Sequence, residues 1–124
     1  MSKIFLIITC VFLIGMQNSF AQPWVQIGGD LDGEATNDQA GYGMAISADG
    51  TILALGAYGN DGGGYTSGSV RVHQYSGGVW TQMGSDINGA SSYDRAGQSV
   101  ALSSEGTILA LGSPTNSWAG TDAG

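Results

Sequence analysis

The chain has 124 residues, 42% of them hydrophobic, and its three basic side chains face ten acidic ones for a formal net charge of −7. That balance opposes phosphate backbones and anionic lipid surfaces, so no nucleic-acid partner is expected. A single Cys and a single His provide neither a disulfide framework nor the three or four N and S ligands of a zinc site.

Residues 1–21 read as a secretory signal peptide. Lys3 supplies the basic start, residues 4–16 form an apolar run, and Ser19-Phe20-Ala21 puts small residues at the −3 and −1 positions of a cleavage site. The run is too short for a bilayer core, which takes about 20 residues. A buried N-terminal helix is the competing reading. Cleavage after Ala21 makes Gln22 the first mature residue and removes Lys3 and Cys10. Cys10 follows Ile8-Thr9 and lacks the small residues of a lipidation site. The expected mature chain is secreted or at the cell surface, is not inserted in a membrane, and sets Arg71 and Arg95 against ten carboxylates. Such a surface suits cations or neutral ligands, or serves solubility alone.

From residue 22 onward the chain repeats itself. Residues 24–61 and 80–117 align without a gap at an offset of 56, and 18 of 38 positions are identical. A period near 50 residues marks an architecture in which each unit needs a neighbour to bury its core. The copies span residues 24–79 and 80–124, the second incomplete. Gly recurs at fixed places, including Gly28 and Gly84, Gly41 and Gly97, and Gly56 and Gly112, which argues for turns and close backbone approaches rather than disorder.

Short apolar runs bounded by Gly, Asp, Asn and Ser predict strands. In chain order these are an outer strand at residues 24–28, then 42–47, 51–57, 69–75 and 79–83. Ala48-Asp49-Gly50 and Gly77-Gly78 supply hairpin turns. Thr51-Ile52-Leu53-Ala54-Leu55 is apolar on both faces and suits a strand covered on two sides. Ala45 and Ala54 are small where sheets approach. Trp24 and Trp80 open each copy and are expected to anchor one unit to the next. His73 is placed on the surface or half-buried. The fold class expected is all-β, with antiparallel four-stranded meanders and about one and a half β-propeller blades. A propeller needs at least four blades. The chain therefore reads as the N-terminal piece of a longer protein whose missing repeats complete the ring; a short protein assembled from several copies is the alternative.

The repeats resemble the FG-GAP repeats of integrin alpha-type β-propellers, in the divergent form found in secreted bacterial proteins. The resemblance covers residues 24–124. It is carried by Ala40-Gly41-Tyr42 and Ala96-Gly97-Gln98 in place of Phe-Gly, and by Gly56-Ala57-Tyr58 and Gly112-Ser113-Pro114 in place of Gly-Ala-Pro. The Trp-x-Gln-x-Gly starts and the Gly68-Ser69-Val70-Arg71-Val72 run add to it. The resemblance implies a propeller and, in its integrin form, a calcium loop between these elements. The hairpins at residues 47–50 and 103–106 are too short for that loop and hold one carboxylate each, against the six to eight oxygens calcium takes. No cofactor is expected.

A second acidic stretch supplies the weak metal candidates Asp30, Asp32, Glu34 and Asp38. Only Asp30 and Asp38 recur, as Asp86 and Asp94, and carboxylates in Gly-rich loops ordinarily accept backbone N–H groups. No nucleophile elbow, Cys or His pair points to catalysis. Asp38 and Asp94 as a glycosidase pair would be symmetry-related by the repeat rather than opposed across a substrate. The function expected is a non-enzymatic binding, adhesion or scaffolding segment with a protein or carbohydrate ligand at the cell exterior. The alternative is the N-terminal part of a propeller-type carbohydrate-active enzyme whose catalytic residues lie beyond residue 124.

Overall fold

The computed structural model describes residues 23–124; the signal-peptide reading of residues 1–21 lies outside them. The described residues are all-β, with strands β1 (Gly43–Ile46), β2 (Ile52–Ala57), β3 (Ser69–Ser76), β4 (Val79–Gln82), β5 (Ile87–Asn88), β6 (Ser99–Leu102) and β7 (Leu109–Gly112). The first sheet is an antiparallel meander, β1-β2-β3-β4, and β5 pairs with the start of β3. The second sheet is the β6-β7 hairpin. β6 lies across β1 and β2, so the sheets stack face to face.

Turn chemistry sets the registers. Ser47 and Asp49 close the β1-β2 hairpin: the Ile52 N–H donates to Ser47 Oγ at 3.0 Å, and the Thr51 N–H donates to Asp49 Oδ1 at 3.0 Å. Gly50 sits at φ +75°. Gly77 and Gly78 have φ of +60° and +87°, the pair of positive values that a twisted two-residue hairpin requires. The resulting register sets Ala54 between Ala45 and Val72, and Leu53 beside His73.

Among the described residues the core is small and mixes alanines with branched aliphatic side chains. Ile52, Ala54, Leu55, Ala57, Val70 and Ala96 are the buried apolar residues. β2 is covered on both faces, as its sequence predicts, with Ala54 fully buried, and the sheets come into close contact at Gly43 and Gly56. A Cβ on Gly43 would lie 2.6 Å from the Gly97 carbonyl oxygen, and one on Gly56 would overlap that oxygen outright.

A backbone seam joins the sheets at the loop end. The N–H groups of Tyr93, Arg95 and Ala96 donate to the carbonyls of Tyr65, Thr66 and Ser67 at 2.8, 3.2 and 2.9 Å, and Gly89 donates to Gly68 at 2.8 Å. Tyr65 and Tyr93 cross it edge to face at 5.3 Å. At the opposite end Ala48 donates to the Ser104 carbonyl at 2.9 Å. Each bond contributes on the order of 1 kcal/mol net. No hydrophobic periodicity announces this seam.

Three expectations are corrected. Residues 24–28 form no strand: their counterpart in the second copy pairs with β3, and no third strand precedes residues 24–28 among the described residues. Trp24 is fully exposed and anchors nothing described, whereas Trp80 donates to the Ile27 carbonyl at 3.1 Å and lies 5.2 Å from the Tyr75 ring. His73 is buried, at 5% exposure: it lies on the opposite face of β3 from Gln74, which stays exposed although β2 and β4 flank both, so the face and not the strand pairing decides its burial.

Burial of His73 has a consequence for pH. Desolvation first, and the Arg71 charge second, hold its imidazole below the ordinary 6.5, with Asp86 opposing, and Nδ1 has no partner. The unfolded chain protonates near the ordinary value. As pH falls through that value the unfolded state binds more protons, so stability present above it is lost until the folded pKa is reached. Melting temperature should fall as the pH drops through the ordinary imidazole value of 6.5 and below it, and His73→Gln should flatten that slope. An unchanged slope in the variant would remove His73 as its source.

Candidate functional site

The loops at the seam end form a cleft of about 350 Å³. Thr36, Asn37 and Gln39 line it from the loop before β1, and Tyr58, Asp61 and Tyr65 from the loop between β2 and β3. Its walls are amides, hydroxyls and phenol rings. Tyr58 donates from its hydroxyl to Gln39 Oε1 at 2.6 Å, and its ring meets Tyr42 edge to face at 4.6 Å. Asp61 Oδ1 accepts the Thr66 N–H at 2.6 Å and holds the second loop closed.

Buried carboxylates brace the loops. Asp38 Oδ2 accepts the Ala35 N–H and the Asn60 amide, both at 3.0 Å, and Glu34 Oε2 accepts from the same amide at 3.0 Å. In the second copy Asp94 Oδ2 accepts the Ser91 N–H at 2.8 Å and the Asn116 amide at 2.9 Å. Asp38 is 4% exposed and Asp94 1%. Each aspartate thus ties the loop before its hairpin to the loop after it. That is the loop-fixing role expected of the recurring pair, and Asn60 with Asn116 is the partner that sequence reasoning missed. Both asparagines are identical positions of the repeat, so the signal was present.

The four acidic candidates do not converge. Asp30 accepts from Gln26 Nε2 at 2.8 Å, as Asp86 does from Gln82 at 2.7 Å. Asp32 offers its backbone carbonyl to Arg71 at 2.6 Å. Glu34 and Asp38 share Asn60. Among the described residues no group of three or more His, Cys, Asp or Glu is placed to hold a metal. Neither Asp38 nor Asp94 lines the cleft; Asp61 is its carboxylate.

The cleft is flanked by non-glycine residues with left-handed backbone: Asn37 at φ +71°, Gln39 at +57° and Thr66 at +52°. Such strain often marks function. Here the repeat decides otherwise, because Tyr93, Arg95 and Asp122 hold +69°, +57° and +51° at the equivalent positions. The strain belongs to the architecture.

No family model, no curated protein and no solved structure matches this chain.

Proposed function

We propose that this chain is a non-enzymatic β-propeller repeat segment of the divergent FG-GAP type, secreted or displayed at the cell surface, that serves binding, adhesion or scaffolding. The observation that carries the reading is the repeated bracing of the loops. The same aspartate–asparagine tie and the same backbone angles occur in both copies, so stacked sheets present their loops on a rigid frame. Loops held this way are where binding residues concentrate. The cleft between Gln39, Tyr58 and Tyr65 supplies stacking faces and hydrogen-bonding groups with one carboxylate. In an acidic chain that combination favours a neutral, hydroxyl-rich ligand over an anion.

An immobilised panel of neutral oligosaccharides tests the reading, with sulfated ones as controls. The neutral members should bind, the sulfated ones should not, and Tyr58→Ala should weaken binding about tenfold, or about 1.4 kcal/mol. A panel that retains nothing, or an affinity indifferent to Tyr58, would reject the cleft as the site.

A further inference from the structure

Asn88-Gly89 joins the end of β5 to the buried part of the seam, and the pair carries a reaction that the fold must hold back. When Gly follows Asn, no side chain shields the next main-chain nitrogen from the Asn carboxamide carbon. The glycine is demanded by packing: a Cβ on Gly89 would overlap the Ser67 carbonyl oxygen and lie 3.1 Å from the Asp94 Cβ. Gly33 holds the equivalent position in the first copy, behind Asp32. The second copy sets an asparagine before the glycine instead.

Three features of the folded chain oppose ring closure between the two residues. The Gly89 N–H donates to the Gly68 carbonyl at 2.8 Å, which holds the proton that the nitrogen must lose before it can attack. Asn88 pairs with Ser69 of β3. Its extended backbone turns the Gly89 nitrogen away from the Asn88 Cβ, whereas a five-membered ring needs the two nearly eclipsed. Gly89 is also buried, with its Cα against the Ser67 carbonyl and its own carbonyl against Gly63, where a Cβ would overlap that oxygen. The peptide plane has no room to turn. The Asn88 side chain itself is exposed to water. What restrains the reaction is therefore the seam, not shielding of the carboxamide.

We propose that Asn88 is a site of spontaneous modification gated by the seam. When the seam opens, the Gly89 nitrogen gives up its proton and attacks Asn88 Cγ. The bond from Cγ to the amide nitrogen breaks, and that nitrogen leaves with a proton as ammonia. Water then opens the cyclic imide at either carbonyl and leaves aspartate or isoaspartate at position 88. Aspartate is the residue that the first copy carries there, as Asp32. Isoaspartate runs the main chain through the former side chain and adds one methylene between the Cα of residue 88 and Gly89. Gly89 then falls out of register with Gly68 and Ser67, and the seam cannot close again. An opening that ends in isoaspartate is permanent. The inference stands on the seam alone and does not depend on what the cleft binds.

Peptide mapping by mass spectrometry tests it on the full chain aged at mildly alkaline pH, with isoaspartate counted by enzymatic methylation. In urea Asn88 should convert as fast as in a short Asn-Gly peptide, and in the folded chain about tenfold more slowly or slower still, because reaction waits on local opening. Asp94→Ala, which unbraces the seam loop, should accelerate conversion severalfold, and Asp38→Ala should leave the rate unchanged. Urea below the unfolding transition replaces Asp94→Ala if that variant does not fold, and should accelerate conversion in the same way. Chains carrying isoaspartate should lose hydrogen-exchange protection at Gly89 and Ala96, while Asn88→Asp keeps it. Equal rates in the folded and unfolded chain, equal effects of the two aspartate variants, or seam amides that stay protected beside isoaspartate would each overturn the proposal.

Discussion

Gly56→Ala should lower the melting temperature of this protein by on the order of 15 °C, while the same change at Gly112 should leave it nearly unmoved. The two glycines are repeat equivalents, each at the end of the second strand of its hairpin. Neither has a positive φ, so backbone freedom does not distinguish them. What differs is the neighbour. At Gly56 the added methyl overlaps the carbonyl group of Gly97, which is backbone and is fixed by its own N–H bond to the Gly112 carbonyl at 3.0 Å. Relief requires the second sheet to slide away from β1 and β2. Overpacking of that kind costs about 3 kcal/mol, the upper part of its usual range. That is a large share of the roughly 5–15 kcal/mol that a small domain commands. At Gly112 the methyl meets the exposed Ser99 hydroxyl, which rotates away. The expected change is within about 0.5 kcal/mol. Thermal melts at low protein concentration measure both. Equal losses would mean that the sheets do not stack through Gly56 in solution.

The strands were legible because each one carries its own pattern. Residues 42–47, 51–57, 69–75 and 79–83 were expected as strands, and β1 to β4 fall within one or two residues of those limits. Local chemistry is enough there: β-branched and aromatic runs end at Asp49-Gly50 or Gly77-Gly78, and those turns admit only one pairing. β5 has two residues and no pattern to read. Residues 24–28 show the converse failure. They share Trp, Gln and Gly with the start of the second copy, yet a strand needs a partner, and sequence identity does not supply one. His73 misled for a related reason. The alternation of Val70 and Val72 with the rings of His73 and Tyr75 identifies the strand, but which face of it is covered depends on tertiary packing that the alternation does not carry.

The site was less legible than the strands. Asp38 and Asp94 stood out because they recur, and the loop-fixing role followed from their Gly-rich surroundings. Their partners Asn60 and Asn116 lie 22 residues further on, across a hairpin, where spacing alone does not connect them. The cleft residues Gln39, Tyr58 and Tyr65 do not recur at all; their counterparts are Arg95, Pro114 and Thr121. A repeat comparison brings forward what the architecture needs and passes over what one copy does by itself.

Asp94→Ala is expected to destabilise the protein by about 2–3 kcal/mol, and Asp38→Ala by only about 1 kcal/mol. Each aspartate accepts two hydrogen bonds through Oδ2, and bonds to a charged acceptor are worth about 1.5–3 kcal/mol. Two differences separate them. Asn60 keeps Glu34 as an acceptor when Asp38 is removed, whereas the residue at the Glu34 position in the second copy is Ala90. Asp94 also braces the loop whose Tyr93, Arg95 and Ala96 amides form the seam with the first sheet. The loop braced by Asp38 makes no such bonds among the described residues. One effect opposes this ranking: Asp94 Oδ1 is buried without a partner, so removing the side chain also relieves an uncompensated oxygen. That relief offsets part of the loss but does not restore the Ser91 and Asn116 bonds or the seam. Hydrogen exchange separates the contributions. In Asp94→Ala the amides of Tyr93, Arg95 and Ala96 should lose protection along with the melting temperature, and in Asp38→Ala they should keep it. Adding Ala90→Glu to the Asp94→Ala variant should return part of the stability by giving Asn116 the acceptor that Glu34 gives Asn60. Seam amides that stay protected without Asp94 would show that the sheets are held together by their stacked faces, with the loops only following.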